Sequence, residues 1–174
     1  MRGEAGLRAD LAALGIAFAE QEHRAVFTVA ESSALDARIP GAHSKNLFLK
    51  DAGSAFWLVT VPAAARVDLN ALPRAMLRQA QHERKICKRV SFAKAEDMER
   101  LLGIAPGSVT PLAMIDAAPG SVTVVLDEGL AAGDRVNVHP LRNTATIGLA
   151  GADIPRLLRH WGHDPLVAAI PTTI

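Results

Sequence analysis

A lysine in an otherwise apolar strand is the first residue with chemical potential. The segment from Gly41 to Asp51 reads GAHSKNLFLKD, and alternation along an extended strand puts Lys45, Leu47 and Leu49 on one face. A cation is not expected beside two leucines. The lysine stem can lie along the apolar surface with its ammonium group in water, and the segment alone favours this arrangement. Alternatively, Lys45 marks the mouth of a pocket and holds an anion or a carbonyl group there.

A proline-glycine turn is the second candidate. Pro106 and Gly107 suit the two central positions of a type II turn, the second of which needs the positive φ that glycine adopts without strain. Such a turn presents backbone N–H groups to one side, where they can stabilise an oxyanion. Most turns of this composition only reverse the chain, so the motif by itself is weakly informative. No Gly-Lys-Ser/Thr follows, which argues against a nucleotide-binding loop.

Polar side chains also cluster in the connection between two predicted strands. The segment 139–146 contains His139, Asn143, Thr144 and Thr146. These side chains could line the polar wall of a pocket. They could equally belong to a capped loop in which Asn143 and Thr144 bond to their own backbone.

One dense basic run lies between the first of these segments and the proline-glycine turn. Its cations are Arg84, Lys85, Lys88 and Arg89. Such runs usually form a solvated face, but they can also contact phosphate groups beside a pocket. The sequence favours neither interpretation over the other.

The composition limits the possible classes of protein. The chain has 174 residues, of which 49% are hydrophobic and 21% charged, as is typical of one well-cored domain over residues 1–174. A net charge of +1, no tyrosine and 4% aromatic residues argue against a protein that coats long stretches of nucleic acid. The single cysteine, Cys87, excludes an internal disulfide. His160 and His163 lack recognisable further ligands, so no metal site is predicted.

No signal-like N-terminus and no apolar run long enough to span a bilayer is found in the sequence. We therefore expect a cytoplasmic protein without membrane contact.

Hydrophobic periodicity predicts an α+β fold. Helices are expected near residues 4–15, 28–37, 69–77, 94–102 and 152–161, and strands near residues 16–22, 42–50, 55–61, 90–92, 121–126, 135–139 and 144–149. Thr28 and Glu31 have the spacing of a capping box at the start of the second helix. Strands and helices do not alternate regularly, which argues against a doubly wound sheet.

Taken together, three segments resemble one family, the freestanding bacterial prolyl-tRNA editing proteins related to YbaK and to the editing domain inserted in prolyl-tRNA synthetase. The segments are residues 45–51, 102–111 and 139–146; they occur in the family's order, and the similarity runs over almost the whole chain. The form of the first segment, KNLFLKD, resembles the branch that removes alanine. The resemblance implies a mixed, barrel-like β-sheet surrounded by helices.

The resemblance also implies an activity, namely hydrolysis of the ester that joins a wrong amino acid to tRNA for proline, without a cofactor. Lys45 would hold the tRNA 3′ end or the ester carbonyl. We expect the backbone N–H groups of Gly107 and Ser108 to bind the oxyanion. The residues expected to contact the substrate are Asn46, His139, Asn143 and Thr144.

Three other functions compete with this one. The chain could deacylate another misacylated tRNA, such as cysteinyl-tRNA(Pro). It could be a non-catalytic module that binds tRNA or DNA, although its near-neutral charge counts against this. It could also dock on prolyl-tRNA synthetase, a role that is compatible with catalysis.

Overall fold

A computed structural model of the chain describes residues 1–79 and 89–173, and its helices and strands largely follow the predicted ones. The helices are α1 (Gly3–Ala13), α2 (Val29–Asp36), α3 (Leu72–Gln79), α4 (Ala95–Leu102), α5 (Glu128–Ala131) and α6 (Asp153–His160), with a 3₁₀-helix at Pro111–Ile115. The strands are β1 (Phe18–Glu22), β2 (Ala42–Asp51), β3 (Phe56–Pro62), β4 (Val90–Phe92), β5 (Thr123–Asp127), β6 (Val136–Val138), β7 (Ala145–Leu149) and β8 (Leu166–Ala168). Among the residues described, no helix combines the length and apolar character needed to cross a membrane.

The strands form a mixed sheet in the order β1-β7-β6-β2-β3-β5-β8, with β4 also paired to β2. Strand β2 runs antiparallel to β3 and β4 and parallel to β6. Strand β5 runs parallel to both β3 and β8. The prediction of an α+β fold with a mixed sheet surrounded by helices is therefore confirmed.

Strand β2 contributes to two hydrophobic cores because its successive side chains point to opposite faces. Phe48 lies in the larger core, which also contains Leu11 of α1 and Leu157 of α6. Leu49 lies in the smaller core with Trp57. The alternation predicted from the sequence, with Lys45, Leu47 and Leu49 on one face, agrees with this packing.

Strand β8 is the main element that the sequence analysis missed. It has three residues, too few to show alternation, and it is defined by parallel pairing with β5. The chain beyond it is tied to the segment before α3, since the Thr173 N–H donates to the carbonyl of Arg66 at 2.8 Å and the Asp68 N–H donates to that of Pro171 at 2.9 Å. These contacts close one side of the smaller core.

Arg142 anchors the connection between β6 and β7. Its guanidinium donates to Glu4 at 2.9 Å, to Glu22 at 2.9 Å and to Glu20 at 3.3 Å. A hydrogen bond from Arg142 lowers the pKa of Glu22, and one from Arg8 lowers the pKa of Glu20. The carboxylates therefore stay ionised as the pH falls, and the connection stays attached to α1 and β1.

Gly151, between β7 and α6, has no space for a side chain. A Cβ there would lie 1.9 Å from the carbonyl oxygen of Leu130 and 2.9 Å from that of Ala131. We predict that Gly151→Ala lowers the free energy of unfolding by about 2–3 kcal/mol, because backbone atoms must move to relieve the overlap. Urea denaturation followed by circular dichroism measures this. The control is Ala132→Ser, an exposed position nearby, which should cost less than about 0.5 kcal/mol; equal stability of the two variants would contradict the packing.

Candidate functional site

A cleft of about 790 Å³ brings together several residues that the sequence singled out. Its volume is in the range of small-molecule binding sites. The cleft is lined by residues of α2, β2, β6 and β7, and Gly107 of the proline-glycine turn borders it. Of the predicted site residues, the cleft is lined by Lys45, Asn46, Gly107 and His139.

Strand pairing explains why the floor of the cleft is polar. Asn137 of β6 pairs with His43 of β2 on one side and with Gly148 of β7 on the other. Its strand neighbours Val136 and Val138 point to the opposite face, into the larger core. Asn137 therefore lies on the same face of the strands as His43 of β2 and Thr146 of β7, and these three polar residues line the cleft.

Lys45 is a partly buried cation in the wall of this cleft. The ion pairs formed by residues 1–79 and 89–173 do not include it. The acidic residue that lines the cleft, Asp36, instead lies with its Oδ1 3.2 Å from Nδ1 of His43. The charge of Lys45 is therefore not neutralised by a carboxylate within the described part of the chain, and it can attract an anionic ligand.

The side-chain amide of Asn46 joins two segments that border the cleft. Its Oδ1 accepts a hydrogen bond from the hydroxyl of Thr60 at 2.7 Å, and its Nδ2 donates to the carbonyl of Val109 at 2.9 Å. Thr60 is fully buried. Asn46 therefore fixes the loop that follows the proline-glycine turn, and it shapes the cleft through the protein rather than with a free amide.

The turn at residues 105–108 has the predicted conformation. Gly107 has a φ of 91°, and the Ser108 N–H donates to the carbonyl of Ala105 at 3.1 Å, as in a type II turn. Because the Ser108 N–H closes the turn, it is not available to bind an oxyanion, contrary to our expectation. The Gly107 N–H has no acceptor among the described residues, so the turn offers one donor to the cleft instead of two.

His139 presents a hydrogen-bond acceptor. Its Nδ1–H donates to the carbonyl of Ala145 at 3.1 Å, which leaves Nε2 unprotonated in the neutral ring. Burial lowers the pKa of His139, nearby His23 lowers it further, and the bond to Ala145 and the charge of Asp36 oppose these effects. The ring is therefore neutral near pH 7, and its Nε2 can accept a proton or a hydrogen bond.

Thr146, which the sequence singled out as a possible pocket residue, lines the cleft, whereas Asn137 was not foreseen. The hydroxyl of Thr146 donates to Nε2 of His23 at 2.9 Å, and the other ring nitrogen of His23 donates to the carbonyl of Arg24 at 2.8 Å. Asn137 is 3% exposed, and its Nδ2 donates to the carbonyl of Pro40 at 2.9 Å. A usable signal was present, since Asn137 lies two residues before His139 on a predicted strand and hence on the same face.

Some predicted site residues are placed outside the lining of the cleft. Asn143 lies beside the turn, with its Nδ2 3.9 Å from where a Cβ on Gly107 would stand. The hydroxyl of Thr144 accepts a hydrogen bond from Arg142 at 2.8 Å, which is a structural role. Of the basic run, Arg89 is exposed, and the remaining cations lie outside the described residues, namely Arg84, Lys85 and Lys88.

The chain was compared with known families and proteins. A model of the aminoacyl-tRNA editing domain matches residues 23–157. The chain is similar to two proteins named prolyl-tRNA synthetase associated domain-containing protein 1. The Bos taurus protein is 37% identical over 166 residues, which cover 94% of this chain and 92% of that protein. The Mus musculus protein is 36% identical over 166 residues, which cover 94% of both chains. Prolyl-tRNA editing protein ProX of Acetoanaerobium sticklandii is 29% identical over 143 residues, which cover 82% of each chain. The expected restriction to bacterial proteins is not supported, because these vertebrate relatives are more similar than ProX.

Two solved structures have the same fold. The crystal structure of the hypothetical protein APE2540 has a TM-score of 0.66 and 21% identity, and covers 93% of this chain and 97% of its own. A candidate trans-editing enzyme for prolyl tRNA synthetase has a TM-score of 0.62 and 19% identity, and covers 95% and 96%. At these identities the comparison establishes the fold alone.

We predict that Asn46→Ala lowers the free energy of unfolding by about 1–3 kcal/mol, because it leaves the hydroxyl of buried Thr60 and the carbonyl of Val109 without their partner. The matched control is Thr60→Val, alone and combined with Asn46→Ala. The double variant should lose less stability than the sum of the single variants in urea denaturation. Additive losses would show that the Asn46–Thr60 bond contributes little.

We predict that the ring of His139 titrates below pH 6.5, its ordinary value. Because burial disfavours the charged form, the unfolded chain binds more protons than the folded one in this range. The contribution of His139 to stability is therefore complete above pH 6.5 and is lost as the pH falls through the lower, folded-state pKa. NMR titration, with His139→Asn to assign the signal, measures the midpoint; a value above 6.5 would contradict the buried environment.

Proposed function

Because the chain belongs to the aminoacyl-tRNA editing domain family, we propose that it hydrolyses mischarged alanyl-tRNA(Pro) in trans and releases alanine from the tRNA 3′ end. The observation that carries the proposal is Lys45, a cation without a carboxylate partner among the described residues, in a cleft that is also lined by Gly107 and a neutral histidine. A cation can bind a phosphate group of the substrate, and a backbone N–H can stabilise the oxyanion that forms during ester hydrolysis.

Editing of this kind corrects errors that arise from the limited selectivity of the synthetase. A synthetase pocket shaped for proline cannot strongly exclude a smaller amino acid, because missing methylene groups are worth only about 1–3 kcal/mol of discrimination. A second pocket that admits alanine and excludes proline by size corrects the error. We assign this second pocket to the cleft that Lys45 and His139 line.

The chemical steps follow from the groups in the cleft. Lys45 binds a phosphate of the tRNA 3′ end or the ester carbonyl. A water molecule attacks the ester carbon, and the Gly107 N–H stabilises the oxyanion that forms. The ester C–O bond then breaks, and the ribose oxygen takes up a proton. The Nε2 of His139 accepts a hydrogen bond from the attacking water or from the adjacent ribose hydroxyl and so orients it.

A side-chain nucleophile is not part of the proposal. Ser108 is not among the residues described as lining the cleft, and a serine needs an adjacent base to become reactive. Cys87 lies outside the described residues. Water is therefore the nucleophile in this mechanism.

The proposed partners are aminoacylated tRNA and prolyl-tRNA synthetase. The names of the mammalian relatives mention association with this synthetase, and a small domain with a net charge of +1 gains from a partner that selects the tRNA. The basic run from Arg84 to Arg89 is the proposed contact with the tRNA backbone. Pull-down with prolyl-tRNA synthetase tests the protein contact.

A deacylase for cysteinyl-tRNA(Pro) is the second candidate. Cysteine is only slightly larger than alanine, so a pocket that excludes proline by size can admit either side chain. Deacylation of alanyl-, cysteinyl- and prolyl-tRNA(Pro) separates the two candidates. Preference for alanyl-tRNA supports the proposal, preference for cysteinyl-tRNA selects the alternative, and equal cleavage of prolyl-tRNA contradicts exclusion by size.

We predict that Lys45→Ala reduces kcat/KM for alanyl-tRNA(Pro) about 100-fold or more, because the cation is lost from the site. The melting temperature should change by less than about 2 °C, since no ion pair within the described residues is broken. Lys94→Ala, an exposed lysine outside the cleft lining, serves as the control and should keep wild-type kinetics. Wild-type turnover by Lys45→Ala would remove Lys45 from the mechanism.

A further inference from the structure

Phe27 is an exposed aromatic residue at the edge of the cleft. Its side chain is 82% exposed, and it is among the residues that line the cleft. The other large hydrophobic side chains exposed in the described part of the chain, such as Phe92 at 63%, do not line it. Single exposed apolar residues are common, so the position of Phe27 beside polar and charged groups is what requires an explanation.

Hydrogen bonds hold the backbone that carries this ring. The N–H groups of Phe27 and Thr28 donate to Oε2 of Glu31 at 3.1 and 3.0 Å, and the Glu31 N–H donates to the hydroxyl of Thr28 at 3.1 Å. This capping box fixes the start of α2. A residue in the position of Phe27 often packs on the fourth residue of the helix, but here that residue is Ser32. Helix capping therefore explains the backbone of Phe27 and not its exposed ring.

The chemistry around the ring matches one end of the proposed substrate. The cleft contains an aromatic face at Phe27, a cation at Lys45 and an acceptor at His139. The aminoacylated end of tRNA offers a nucleobase, phosphate groups and a ribose hydroxyl next to the ester. Every nucleobase can stack on an aromatic side chain, and cations bind the backbone phosphates.

We infer that the ring of Phe27 is a stacking platform for the terminal nucleobase of the tRNA 3′ end. This inference rests on the proposed function and deepens it, because it assigns a separate place to the nucleoside. With the base stacked at the edge, the ribose and its ester point inwards, towards Lys45 and the Gly107 turn. Phe27 is then a positioning residue, since it touches the substrate away from the reacting bond.

The test compares two esters of alanine that share the scissile bond, alanyl adenosine and alanine ethyl ester, which lacks the base. We predict that Phe27→Ala lowers the ratio of their kcat/KM values about tenfold, mainly through KM for alanyl adenosine. Phe27→Trp should keep the wild-type ratio, whereas Phe27→Leu, which is apolar without a π-face, should resemble Phe27→Ala. Phe92→Ala, the matched exposed phenylalanine outside the cleft lining, should leave the ratio unchanged. An unchanged ratio in Phe27→Ala overturns the inference.

A binding measurement separates failure of the inference from failure of the proposed function. Calorimetric titration with the trinucleotide CCA, the common end of tRNA, should show about tenfold weaker binding to Phe27→Ala than to the wild-type protein. If the wild-type protein hydrolyses neither ester but this difference is seen, the proposed function fails and the platform stands. If both esters are cleaved and CCA affinity is unaffected by Phe27→Ala, the platform fails. If Phe27→Ala weakens binding to prolyl-tRNA synthetase but not to CCA, Phe27 is a protein contact and the inference is overturned.

Discussion

The partly buried amide of Asn46 makes the hydrogen bonds on which the geometry of the cleft depends. It accepts a hydrogen bond from the hydroxyl of Thr60 on β3 and donates one to the carbonyl of Val109, in the loop after the proline-glycine turn. It thereby joins segments that are far apart in the sequence. An unsatisfied buried group costs about 1–3 kcal/mol, so the loop has a strong preference for this position. Gly107 and Lys45 line the same cleft, and this bond sets the distance between strand and loop.

The electrostatics of the cleft depend on keeping like charges apart. Lys45 has no carboxylate partner in the described ranges, and a second cation nearby would weaken its hold on an anionic ligand. Burial keeps His139 neutral, so it adds an acceptor without adding charge. Arg142 forms ion pairs with Glu4, Glu20 and Glu22 and is not part of the cleft lining. Its charge is thereby neutralised away from the cleft.

Features set by neighbouring residues could be predicted from the sequence, and features set by distant partners could not. Alternation along β2 placed Lys45 correctly relative to Leu47 and Leu49, and residue type placed the type II turn at Gly107. Strand β8 was missed because only its pairing with β5 defines it. The availability of the Ser108 N–H could not be read from composition, since the turn's own hydrogen bond uses it.

The parallel pairing of β8 has a consequence for aggregation. Residues 166–173 complete the smaller core around Trp57 and Met76 by pairing with β5 and with the segment before α3. Without these residues, the apolar face of β3 and the edge of β5 would be uncovered, and an uncovered strand edge can pair with other chains. Because β5 and β8 lie far apart in the sequence, their pairing is a long-range contact, which forms slowly relative to local helices.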